Sequence, residues 1–270
     1  MTQLYSLVSL FFLLNLTSSF AADMRLAVTT SFHNSGLSDV LLPELKKDLD
    51  LDVHLLVVGT GQAMKLGRAG DVDAILVHSK KAEEEFVQQG YGAYRREIMF
   101  NDFVLIGPVA DPAQAATQKH AASAFSAIEK ARKLFVSRGD DSGTSRKEIT
   151  LWKKAGLEPA EFSASWYRAA GAGMGATLNT ASAMDAYVFA DRASWLNFKN
   201  KGNLKIIFEG DPILFNQYSF IPINTARHPH TKHDLAVKLE NWLVSEKAQT
   251  MIANYKIAGE QLFTPNAKTH

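Results

Sequence analysis

Ser137-Arg138-Gly139-Asp140-Asp141-Ser142-Gly143-Thr144 is the stretch from which both the fold and the chemistry of this chain are read. Leu134-Phe135-Val136 before it is an apolar run of the kind that forms a buried strand. Ser145 to Ala155 after it reads as a helix, with Ile149, Trp152 and Ala155 on one stripe. Ser142, Gly143 and Thr144 therefore fall at a strand-to-helix turn. Free backbone N–H groups converge at such a turn, and the helix dipole adds partial positive charge. Two hydroxyls and the Arg138 guanidinium complete a donor set that suits a small oxyanion. An ordinary N-cap is the plainer alternative, since Ser and Asp are common caps. The stretch alone leaves both readings open.

Working towards the N-terminus, the same arrangement recurs. Met24–Thr29 reads as a strand, Thr30 to Gly36 as a polar turn, and Leu37 to Asp48 as a helix that Pro43 should kink or split. Val53–Val58 is a second strand, followed by the turn Gly59-Thr60-Gly61-Gln62 and a helix over 63–69. Ala74–Val77 is a third, ending at His78-Ser79, with a helix over 80–89 closed by Gly90. Strand, Ser/Thr/Gly-rich turn and helix, three times over, predict an α/β fold with a mainly parallel sheet. Ligands of such sheets bind beyond the carboxyl ends of the strands, where all these turns lie.

Towards the C-terminus, Phe162–Tyr167, Ala186–Phe189 and Leu204–Phe208 read as strands, and Gly171–Gly175 as a glycine-rich turn before a helix. That turn lacks the G-x-G-x-x-G spacing of dinucleotide sites. Two long extended runs, 98–108 and 212–223, bracket the middle of the chain and read as crossings between two lobes. The expected division is residues 22–108 with 212–270 as lobe 1 and residues 109–211 as lobe 2. Thr231 to Asp234 has the form of a capping box with Asp in the Glu position, followed by Leu235, Leu239, Trp242 and Leu243 at helical spacing.

Bulk composition bounds the function. The chain has 270 residues, 46% hydrophobic and 21% charged, with a net charge of +1 and no cysteine. No strong field draws it to nucleic acid or anionic lipid, and no disulfide or thiolate metal site is possible. His228, His230 and His233 read as solvated rather than as a metal site. The apolar run Leu7–Leu16 followed by Thr17 to Ala22 reads as a signal peptide over residues 1–21. Cleavage after Ala21 leaves the small Ser19 at −3, whereas cleavage after Ala22 leaves Phe20 there.

Several stretches together resemble a known family: Thr29-Thr30-Ser31 with Asn34 to Leu37, Val58 to Ala63, Asn101-Asp102-Phe103 with Gly107-Pro108, Ser137 to Thr144, Gly173 to Asn179, and Asp191-Arg192. In register, over about residues 25–223, they resemble the periplasmic tungstate-binding proteins of the Tup-type ABC importers. The resemblance implies a two-lobe type II periplasmic binding fold that closes on its ligand. It also implies periplasmic capture of tungstate, or of the similar molybdate, by a monomer, and delivery to an ABC permease without cofactor or metal. Its oxyanion ligands would be Thr30, Ser31, Thr60, Arg138, Ser142, Gly143 and Thr144. The chain departs from the family pattern at His33, at Ser145-Arg146 and at Ala172.

Two rivals stand beside that reading. Arg138-x-Asp140-x-Ser142-Gly143-Thr144 also resembles the motif of phosphate-binding proteins, in which an Asp accepts the proton of hydrogen phosphate. A hydrolase with Ser142 as nucleophile is the other, although no G-x-S-x-G elbow or H-E-x-x-H motif is present. His78 ends a strand at the same edge and is either a ligand contact or a structural histidine.

Overall fold

Thirteen residues of backbone, Arg96–Pro108, form the strand on which the architecture hangs. The computed structural model describes residues 22–140 and 142–268; the signal peptide expected over residues 1–21 and Asp141 lie outside the described residues. In chain order the first half contains β1 (Ala22–Thr29), α1 (Thr30–Asn34), α2 (Leu37–Leu49), β2 (Leu51–Val58), α3 (Thr60–Ala69), β3 (Ala74–Val77), α4 (Lys80–Gln88) and β4 (Arg96–Pro108). Then come α5 (Ala121–Lys130), β5 (Phe135–Ser137), α6 (Gly143–Lys154), β6 (Tyr167–Ala169), α7 (Met174–Met184), β7 (Tyr187–Asp191), α8 (Arg192–Asn197) and β8 (Leu204–Phe208). The chain closes with β9 (Phe215–Pro222), α9 (His233–Leu243), α10 (Glu246–Asn254), β10 (Lys256–Ile257), β11 (Glu260–Gln261) and β12 (Thr264–Pro265).

The sheet is mixed. β1 pairs in parallel with β2 and β3, and β5 pairs in parallel with β6 and β7. β9 runs antiparallel to both β3 and β4. Residues Arg96 to Asp102 of β4 pair with β9, while Phe103 to Pro108 pair with β7 and β8. One strand thus belongs to two sheet halves, and apolar side chains from both halves, Met24 and Leu26 with Val104, Ile106 and Val188, share a single buried cluster. A second cluster is built on Phe125, Phe135 and Trp152, a third on Ile75, Phe86 and Ile221.

Five local expectations change. The polar turn after β1 is a short helix, because the Thr29 hydroxyl accepts from Phe32 N and caps it. Pro43 lies within α2 without breaking it; the carbonyl it leaves unpaired belongs to Asp39, which faces solvent. Phe162 to Trp166 is not a strand: Phe162 and Trp166 pack edge-on against Trp152, with ring centroids at 5.0 and 5.9 Å, and β6 starts only at Tyr167. Thr231 does not cap α9, because its hydroxyl donates to His228 O at 2.8 Å and the helix begins at His233. The buried stripe of α6 also differs, since Ile149 is 38% exposed while Glu148 is 1% exposed.

Arg192 ties the centre together. Its guanidinium donates twice to Asp102 on β4, both at 2.6 Å, and once to Glu209 after β8 at 2.5 Å. Glu260 of β11 stands 3.8 Å away.

Candidate functional site

A parallel strand that feeds a helix delivers the helix N-terminus to the carboxyl edge of the sheet. Here β1, β2, β3, β5, β6 and β7 lead into α1, α3, α4, α6, α7 and α8. The first turns of all six helices line one cleft of about 1370 Å³. Thr30, Ser31, Thr60, Arg138, Ser142, Gly143 and Thr144 all line it, as do His78, Asn216 and Gln217. The N-cap residues of α3, α4 and α7 offer no side-chain hydrogen bond to their helices, so backbone N–H groups stay available there.

On the β5 side, Gly139 takes a left-handed φ of +63° and lies so close to Ala169 that a Cβ would meet its Cβ at 2.5 Å. The tight turn aims Arg138 and Asp140 back at each other. Asp140 Oδ2 accepts from Arg138 Nη2 at 2.6 Å and from Nε at 3.1 Å. Its Oδ1 accepts from Ser142 Oγ at 2.6 Å and from Ser142 N at 3.3 Å. Burial pushes the Asp140 carboxyl up, but the hydrogen bonds from Ser142 and Arg138 outweigh it and hold the group below the ordinary range. Ser142 Oγ also accepts from Ser145 N at 3.2 Å, which caps α6.

The turn is anchored from below by a carboxylate that hydrophobic patterning places on the surface. Glu148 accepts from Ser137 Oγ at 2.9 Å, Tyr167 Oη at 2.8 Å and Trp152 Nε1 at 3.1 Å. Ser137 Oγ in turn accepts from Gly139 N at 3.2 Å. Burial pushes the Glu148 carboxyl up to about 7 against these three donors.

Across the cleft, Ser31 Oγ lies 2.8 Å from Tyr218 Oη and 3.1 Å from His78 Nε2. The His78 ring packs on Tyr218 with centroids 4.8 Å apart. Burial drives His78 down to about 4, opposed by the Asp191 carboxylate and by Asn216, so the imidazole is neutral at physiological pH. His78 also reaches the opposite wall, since a Cβ on Gly143 would stand 3.1 Å from His78 Cε1. The two walls therefore meet at this point.

The charge of the lining is one-sided. Lys65, Lys80, Lys81, Arg146, Lys147 and Lys199 line the cleft together with Arg138, and Asp191 is the one carboxylate lining it among the described residues. Asp191 is itself taken up in capping α8, accepting from Ser194 N at 2.9 Å and Ser194 Oγ at 2.7 Å. The turn-borne residues were legible as motifs. Lys65, Lys80, Lys81, Lys199 and Asn216 carry no such motif, because tertiary folding alone brings them to the cleft. Among the described residues no cluster of three His, Asp or Glu side chains suits a metal ion. His230 bonds Gly70 O at 2.9 Å and lies away from the cleft.

A family profile described as the PBP superfamily domain matches residues 17–247. "Tungstate-binding protein TupA" of Peptoclostridium acidaminophilum is 45% identical over 246 residues, 90% of this chain and 85% of that protein. The chain is a TupA-family member of the PBP superfamily. Solved TupA-type structures agree in fold. The "Tungstate binding protein - TupA" of Desulfovibrio alaskensis G20 superposes with a TM-score of 0.86 at 43% identity, covering 92% of this chain and all of that one. A structure titled as the tungstate ABC transporter of Geobacter sulfurreducens gives a TM-score of 0.76 at 43% identity, covering 86% and 98%. The TupA relatives are binding proteins, and the cleft geometry of this member can be read in that light.

Proposed function

We propose that this chain is a periplasmic receptor rather than an enzyme. It captures a tetrahedral oxyanion, tungstate foremost, and delivers it to an ABC permease. Residues 22–108 with 212–270 act as one lobe and residues 109–211 as the other, with β4 and β9 as the crossings. The observation that carries the reading is the cleft into which six helix N-termini open, with one carboxylate in its lining among the described residues. Tungstate has four acceptor oxygens and no proton at neutral pH, so it requires donors alone. Thr30, Ser31, Thr60, Arg138, Ser142, Gly143 and Thr144 supply them from both lobes, which makes the bound ion a bridge that favours the closed state.

The magnitudes are sufficient. Hydrogen bonds to a charged group contribute about 1.5–3 kcal/mol each, so six give roughly 9–18 kcal/mol before desolvation and closure. Nanomolar affinity needs about 12 kcal/mol net. Hydrogen phosphate would need an acceptor for its proton, and the motif offers Asp140. Both oxygens of Asp140 are already occupied by Arg138 and Ser142, which favours the fully deprotonated ion. The Ser142 hydroxyl is engaged in capping and with Asp140, which disfavours it as a nucleophile.

Calorimetric titration of the anion-free protein with tungstate, molybdate, sulfate and phosphate tests the proposal. Tight 1:1 tungstate binding that is lost in Arg138→Ala is the expected result. Equal molybdate affinity widens the ligand class and leaves the site intact. Heat with phosphate alone moves the chain to phosphate receptors, and heat with none of the four refutes the receptor reading.

A further inference from the structure

Arg138 brings the motif its formal charge, yet the Arg138–Asp140 pair is neutral as a unit. A dianion seated at the N-terminus of α6 is therefore held more tightly if a further cation faces it. Lys147 follows Gly143 by four positions and Thr144 by three, so it occupies the same face of α6 one turn further along. Helical side chains lean towards the N-terminus, the end of α6 that carries Gly143 and Thr144. The side chain lines the cleft and is partly buried.

Its surroundings do not account for its charge. Burial lowers the Lys147 pKa, as does the like charge of Lys154, and only Asp211 acts in the other direction. Asp211 makes no ion pair with it, being bound to Ala121 N at 2.8 Å and Ile213 N at 3.0 Å. No other described carboxylate forms an ion pair with Lys147. The position is adverse for a cation in a second way: the first turn of α6 holds no acidic residue, and a positive charge near a helix N-terminus opposes the macrodipole. A partly desolvated ammonium in such a place is costly to the empty protein and is relieved by an anion.

We propose that Lys147 is the second cation of the oxyanion site, contributing from the cleft wall the formal charge that Asp140 cancels at Arg138. The inference rests on the receptor reading given above. It also predicts opposite signs for two measurements, which a merely structural lysine would not give. Lys147→Met keeps the side-chain volume and removes the charge. Tungstate affinity should fall by about ten- to one-hundred-fold, the scale of one charge-assisted hydrogen bond. The anion-free variant should unfold at the same temperature as the parent or higher. Lys147→Arg should restore affinity to within about threefold of the parent, since the charge returns.

Calorimetric titration with tungstate at fixed pH and salt, paired with thermal unfolding of the anion-free proteins, decides it. Affinity unchanged in Lys147→Met overturns the proposal. So does an equal loss in the Met and Arg variants, or a lower unfolding temperature for the anion-free Met variant, either of which makes the residue a packing element. Parent protein that binds no oxyanion overturns the receptor reading and this inference together, whereas parent binding with an unaffected Met variant overturns this inference alone.

Discussion

Two buried titratable groups behind opposite walls of the cleft should pull the pH dependence of the anion-free protein's stability in opposite directions. His78 is driven by burial from the ordinary 6.5 down to about 4. The unfolded chain then binds the proton more readily, so its contribution is present above pH 6.5 and is lost as pH falls through about 4. Glu148 is pushed by burial from the ordinary 4.5 up to about 7. Here the folded chain binds the proton more readily, so the contribution is present below pH 4.5 and is lost as pH rises through about 7. Each displacement corresponds to about 3 kcal/mol, at about 1.4 kcal/mol per pH unit. The two oppose each other across the window from pH 4.5 to 6.5. The substitutions His78→Asn and Glu148→Gln each remove one arm. Urea unfolding followed by tryptophan fluorescence, at several pH values in that window, should give the parent a profile that lies between those of the two variants. Stability of His78→Asn should fall with rising pH by about 3 kcal/mol across the window, and that of Glu148→Gln should rise by a similar amount. Two variants whose profiles run parallel to the parent would refute the reasoning, since neither group would then titrate differently on folding.

Gly143→Ala places a methyl group 3.1 Å from His78 Cε1, tighter than an ordinary contact. It should hold the walls apart and weaken tungstate binding by about tenfold with little change in anion-free stability, as checked by titration and thermal unfolding. Arg192→Ala leaves the Asp102 carboxylate, 15% exposed, without its two-pronged partner. A loss of about 3 kcal/mol in urea unfolding is expected, and a loss below about 1 kcal/mol would make the cluster a surface ornament.

What could be read from the sequence follows the range of the interactions. β3 and β8 are found at the predicted residues because short β-branched and leucine-rich runs, bounded by turn residues, signal themselves locally. The turn within 137–144 is legible for the same reason, whereas Thr60 to Gln62, expected in a turn, form the first turn of α3 behind the Gly59 cap. Glu148 was not legible, because its partners Ser137, Trp152 and Tyr167 are gathered by folding, and a lone charge in a helix otherwise reads as solvated. Phe162–Tyr167 reads as a strand although only Tyr167 joins one, because aromatic enrichment suits a pleated surface as well as it suits a cluster around Trp152. Lys147 had a usable signal after all: four residues past Gly143, it shares the face of the helix that the motif presents.

The strand arrangement also sets an order of events during synthesis. β3 acquires its second neighbour only from β9, with Val77 opposite Ser219 and Ala74 opposite Pro222. The β4 residues Arg96 to Asp102 wait for the same strand. Until residues 215–222 have been made, two apolar strands have open edges that can pair with another chain. The N-terminal β-α units thus cannot complete their fold as they emerge, and closure of the sheet is a late, long-range event. A chain that ends before Phe215 carries those two sticky edges permanently, so premature termination should yield aggregate instead of a smaller folded domain.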